Sequence, residues 1–77
     1  MKDLLQFLAQ QLVNDPRAVE IKETKGSTAS VLELRVAKED LGRIIGKQGR
    51  TAKSIRTILN AVASRQNRKV VVEIVED

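Results

Sequence analysis

The 77-residue chain has room for one domain and one modest core. It holds neither cysteine nor histidine, which excludes disulfides, thiolate sites and the usual zinc ligand sets. Its net charge of +4 conceals an asymmetry: the stretch from Leu41 to Val72 carries eight basic residues and no acid, while the other 45 residues carry six basic and ten acidic ones. Such a one-sided segment is the footprint expected of a protein that binds a polyanion.

The start, Met1 to Gln6, lacks the apolar stretch of a signal peptide, and no apolar run approaches membrane-spanning length. A cytoplasmic protein without membrane contact is the expectation. Residues 2–13 read as an amphipathic helix, with Leu4, Leu5, Leu8 and Leu12 on one face and Met1 above them. Asn14-Asp15-Pro16 ends it, because proline disfavours helical geometry in the residue before it.

From Ala18 to Thr24, Val19 and Ile21 alternate with Glu20 and Lys22, the pattern of a half-buried strand. Lys25-Gly26-Ser27-Thr28 supplies turn chemistry, and Ser30 to Val36 alternates again, with Leu32, Leu34 and Val36 on one side. The two runs predict a β-hairpin. A short helix is expected over about Lys38–Ile45, with Glu39 and Asp40 complementing the dipole of its first turn and Gly46 ending it. A longer helix is expected from after Gly49 to about Arg65, burying Ala52, Ile55, Leu59, Val62 and Ala63, and Asn67 marks its exit. Val70, Val72 and Ile74 alternate with Val71, Glu73 and Val75 in a β-branched closing strand.

The order α-β-β-α-α-β implies a right-handed crossover between parallel strands and an α+β domain of two layers. Its three-stranded mixed sheet would carry the helices on one face. The other face would carry Val31, Val71 and Val75 among charges, as surface residues or as a dimer contact.

The chemistry is concentrated at Gly46-Lys47-Gln48-Gly49, two glycines joining one helix to the next across two polar residues. Glycine admits backbone angles closed to other residues and lets another chain approach closely. The following helix opens with unpaired N–H groups and the positive end of its dipole, which attract an anion. First turns favour acids, yet this one carries Arg50 and Lys53, each a few tenths of a kcal/mol unfavourable in the free protein. A bound phosphate reverses that sign, so the conflict marks function.

Other phosphate motifs fail on spacing. A P-loop places four residues between its glycines, whereas Gly42 and Gly46 have three, and Lys47 precedes Gln48 instead of a magnesium-binding hydroxyl. The dinucleotide fingerprint is absent as well. An enzyme lacking His, Cys and Tyr would depend on carboxylates or lysine. The paired acids Glu39-Asp40 and Glu76-Asp77 suit a helix start and a chain end, so no catalytic residue, metal or cofactor is assigned.

The run Ile44-Ile45-Gly46-Lys47-Gln48-Gly49, followed by Ile55, resembles the KH signature of apolar-Ile-Gly-x-x-Gly-x-x-apolar, with the small Ala52 at the first apolar position after the loop. The element order is similar to the prokaryotic type II arrangement, and the likeness covers residues 1–77 as a single KH domain. The compact length most resembles the small bacterial KhpA-type KH proteins.

That resemblance implies single-stranded RNA as the ligand, with the loop holding the backbone of about four nucleotides beside a groove for bases. Carried onto this chain, Gly46 and Gly49 permit close approach, Lys47 and Gln48 add a charge and an amide, Arg50 and Lys53 attract phosphates, and Arg43 stands at the rim. Leu41, Ile44 and Ile45 are candidates for the groove floor, with Val36 and Leu34 from the neighbouring strand. With Phe7 the only aromatic residue, base stacking is mostly lacking, and binding by one domain should be weak and of modest sequence preference.

The resemblance further implies a homodimer, or a heterodimer with a larger KH-containing RNA-binding protein. It also implies a role as a post-transcriptional regulator or RNA chaperone linked to envelope growth and cell length. The alternative is a dimerisation or adaptor module with little RNA affinity of its own. Discrimination of RNA from single-stranded DNA is not written in these residues.

Overall fold

A computed structural model describes residues 1–76. Helix α1 (Lys2–Leu12) buries Leu5 and Ala9, and Val13 prolongs that line just beyond its end. The buried stripe is therefore rotated from the expected Leu4-Leu5-Leu8-Leu12 face: Leu4 and Leu8 are half-buried and Leu12 is exposed. Ala9 accounts for the rotation, since its small side chain lets the helix axis approach the layer beneath. The leucines then spread over an arc wider than the contact.

A 3₁₀ turn over Pro16–Ala18 leads into β1 (Glu20–Lys25), which pairs antiparallel with β2 (Ala29–Arg35) in a register running from Glu20 opposite Arg35 to Lys25 opposite Ser30. The hairpin closes through the Gly26 N–H, which donates to the Ala29 carbonyl at 2.7 Å. The last strand, β3 (Lys69–Ile74), pairs parallel with β2, so β2 is central in the order β1-β2-β3. Period-two alternation then decides the faces: Ser30, Leu32, Leu34, Val70 and Val72 are buried, and their neighbours are not. The result is the expected α+β domain of order α-β-β-α-α-β with a three-stranded mixed sheet.

The expected helix over 38–45 is divided. A 3₁₀ turn spans Lys38–Asp40, and α2 proper is only Leu41–Ile45. Asp40 does more than complement a dipole. Its carboxylate is turned inward, 2% exposed, and accepts the N–H groups of Asn14 and Asp15, each at 3.0 Å. The Arg43 Nε stands 3.5 Å away. Burial of the charge is tolerable because both oxygens are hydrogen-bonded and a guanidinium is close. The carboxylate fastens the α1–β1 connection to the start of α2. Asp40→Ala should lower unfolding free energy by about 3 kcal/mol, two charge-assisted bonds being lost and two amides orphaned. Urea denaturation measures this, and a midpoint equal to wild type would refute the fastening role.

Helix α3 (Arg50–Ser64) buries Ala52, Ile55, Leu59 and Ala63 against the sheet. Val62, expected on that face, is exposed. The helix ends as its sequence suggests. Asn67 takes φ 55°, the Arg68 N–H donates to the Ala63 carbonyl at 3.0 Å, and the Asn67 N–H donates to that of Ser64 at 3.1 Å. That pairing is a Schellman motif with asparagine in the left-handed position.

Candidate nucleic-acid interface

Between α2 and α3 the chain makes one 3₁₀ turn, Lys47–Gly49. Gly46 ends α2 with φ 76° and ψ 171°, a region open essentially to glycine alone. Gln48 follows at φ 59° and Gly49 at φ 74°, both left-handed. Gln48 is the departure no sequence pattern signalled, because a non-glycine residue there is strained. Lys47, Gln48 and Arg50 are exposed, and beyond the chain neighbours of Gly49 no heavy atom lies within 4 Å of where its Cβ would stand.

No side chain caps the turn or the first turn of α3. The donors there meet only backbone, as in the Gly49 N–H to the Gly46 carbonyl at 3.1 Å and the Arg50 N–H to that of Lys47. Arg50 Nη2 donates to Gln48 Oε1 at 3.2 Å in an exposed contact, so the bond occupies the amide oxygen of Gln48 and not its nitrogen. Among the described residues, Lys47, Arg50 and Lys53 form no ion pair. Three cations thus stand at a backbone turn that no side chain caps, and among the described residues no carboxylate pairs with them.

The structure divides the remaining expected residues. Arg43 is 55% exposed at the rim but leans on Asp40. Ile45 is half-buried beside the loop, and Leu41 and Val36 meet Val75 around an open recess of about 150 Å³. Ile44 and Leu34 have no exposed surface and belong to the core. The expectation that they floor a groove is corrected, because both project along the helix–sheet interface.

A family model described as KhpA/KhpB, KH domain matches residues 2–74 of the chain. The chain belongs to the KhpA/KhpB family of KH domains. It is 54% identical over its full length to RNA-binding protein KhpA of Chlamydia caviae, covering 99% of that protein. It is 49% identical over 75 residues to RNA-binding protein KhpA of Clostridium perfringens, covering 97% of this chain and all of that one. With the protein of the same name from Aquifex aeolicus the identity is 42% over 76 residues, 99% of this chain and 96% of that one.

Within this KH domain, α3 has two unlike flanks. Toward β3 it presents Arg56 and Asn60, which reach the free edge of the strand: Arg56 Nε donates to the Val72 carbonyl at 3.2 Å, and Asn60 Oδ1 accepts the Val70 N–H at 3.3 Å. Lys53 lies on the same flank by helical spacing. Neither contact was legible in the sequence, which shows Arg56 only as one more cation. Toward α1, by contrast, Ile58 meets Leu8 and Leu12 around an apolar recess of about 240 Å³. Val62 follows one turn on, and Phe7 on α1 is 58% exposed.

Among the described residues no helix is long and apolar enough to cross a membrane.

Proposed function

We propose that this KhpA/KhpB-family protein binds single-stranded RNA, seating the sugar-phosphate backbone on Gly46-Lys47-Gln48-Gly49 and the cationic start of α3. The observation that carries the reading is the uncapped turn between two helices, flanked by Lys47, Arg50 and Lys53, which pair with no acid among the described residues. The uncapped positive end of a 15-residue helix and three cations that form no ion pair among the described residues favour the same ligand charge. RNA as the polyanion agrees with the name that the relatives carry. Arg43 and Ile45 border the site, and Lys53 continues it along α3.

The apolar flank of α1 and α3 is the surface on which we place a second copy of the chain, or a larger KH-containing protein. Because it lies across α3 from the cationic flank, protein contact and RNA contact would not compete. Pairing two weak sites raises apparent affinity through effective concentration. A post-transcriptional or RNA-chaperone role, with a link to envelope growth and cell length, rests on the family resemblance and on no single residue.

The test is a salt titration. With about three phosphates contacted, the logarithm of affinity should fall against the logarithm of salt with a slope of roughly −2, and Arg50→Gln with Lys53→Gln should bring it to about −0.7. Binding is read by fluorescence anisotropy. An affinity indifferent to salt would sink the electrostatic mechanism.

A further inference from the structure

A second cationic site lies at the opposite end of α3. The hairpin tip, the start of β3, the exit of α3 and Met1 border a cavity of about 280 Å³, lined by Lys25, Ser30, Gln66, Arg68 and Lys69, with Glu23 its only acid among the described residues. Arg68 is fixed there by neutral acceptors. Its Nη1 donates to the Ser27 carbonyl at 3.4 Å, and its Nη2 to the Gly26 carbonyl at 3.3 Å and to Ser30 Oγ at 2.9 Å. Its charge is therefore positioned without being neutralised. Among the described residues neither Lys25 nor Lys69 forms an ion pair.

Ser30 is the second mark of a built site. It stands in the buried row of β2 that otherwise carries Leu32 and Leu34, and it is 4% exposed. A leucine there would fill the space, whereas the hydroxyl keeps it open and polar. Favourable interaction of basic residues with the end of α3 accounts for Arg68 and Lys69. It does not account for Lys25, contributed by the hairpin, or for the cavity itself.

We infer that this cavity receives a backbone phosphate of the same RNA strand that the loop holds, which extends the binding track along the whole of α3. The inference rests on the proposed role of the loop. Helix α3 spans 15 residues, about 22 Å, so the cavity lies beyond the roughly four nucleotides clamped at its start. The flank between the two sites carries Lys53, Arg56 and Asn60, and no acid occurs from Leu41 to Val72. The volume falls just under the usual range for small-ligand pockets and suits a phosphodiester with its sugar.

The experiment compares unstructured, hydroxyl-ended RNA oligomers of about five and about twelve nucleotides on wild type and on Lys25→Gln with Lys69→Gln, both positions being exposed. Wild type should bind the longer oligomer more tightly. The double variant should hold the shorter one unchanged and lose on the order of tenfold on the longer, with a salt slope shallower by about 0.7 for the one phosphate released. Equal loss on both lengths would reduce the cavity to part of a diffuse field, and no loss on either would remove it from the track. A gain that required a 5′-phosphate would assign the cavity to strand ends and overturn the through-running path. Lys47→Asp with Gln48→Asp serves as the separate control: if that variant still binds the short oligomer, the loop reading fails whatever the cavity does.

Discussion

Lys47→Asp combined with Gln48→Asp should abolish RNA binding, by a hundredfold or more, while the far-ultraviolet spectrum and the melting temperature stay close to wild type. The exchange removes one cation and places two anions where the ligand's phosphates would lie, and like charges in contact cost several kcal/mol. Folding is spared because both side chains are exposed and neither caps a helix. Gln48 at φ 59° even occupies a conformation that aspartate adopts more readily than glutamine. The substitution loses only the Arg50–Gln48 hydrogen bond, an exposed one. Retention of full affinity by a folded variant would remove the loop from the mechanism.

The parts of this domain that could be read in advance are those set by near neighbours in the chain. Alternation in β2 and β3 identified Leu32, Leu34, Val70 and Val72 as one buried face, because a strand's period of two leaves no freedom. The exit of α3 was marked by Asn67, a residue that tolerates the left-handed angle it adopts. Helix faces were read less well. Leu12 and Val62 both fit an apolar arc, yet the buried lines run through Leu5 and Ala9 on α1 and through Ile55, Leu59 and Ala63 on α3, and both remain exposed.

Contacts between distant segments were not legible at all. The inward turn of Asp40 depends on where Asn14 and Asp15 arrive, 26 and 25 residues earlier in the chain. Arg56 and Asn60 likewise find their partners only once β3 lies alongside α3. The same holds for the second cavity, whose cations come from the hairpin and from the end of α3. Local charge counting sees Lys25 as belonging to the acidic part of the chain.

At the loop itself, the motif names two glycines as though they were equivalent, and the geometry separates them. A Cβ on Gly46 would lie 2.6 Å from the Thr51 Cβ and 2.8 Å from the Thr51 amide nitrogen, within backbone that opens α3 and cannot retreat. The φ of 76° with ψ of 171° adds strain of about 1–3 kcal/mol. Gly46→Ala should therefore cost about 3 kcal/mol or more, a large share of the stability of so small a domain. Gly49 faces open space at φ 74° and ψ 12°, an ordinary left-handed position. Gly49→Ala should cost only about 1–2 kcal/mol, and Gly49→Asn less still. Urea denaturation separates the two, and equal losses at both positions would contradict the loop geometry. RNA titration of the folded Gly49→Ala variant then reports approach alone: its affinity should fall because a methyl group occupies the side from which the strand comes, not because the turn has been lost.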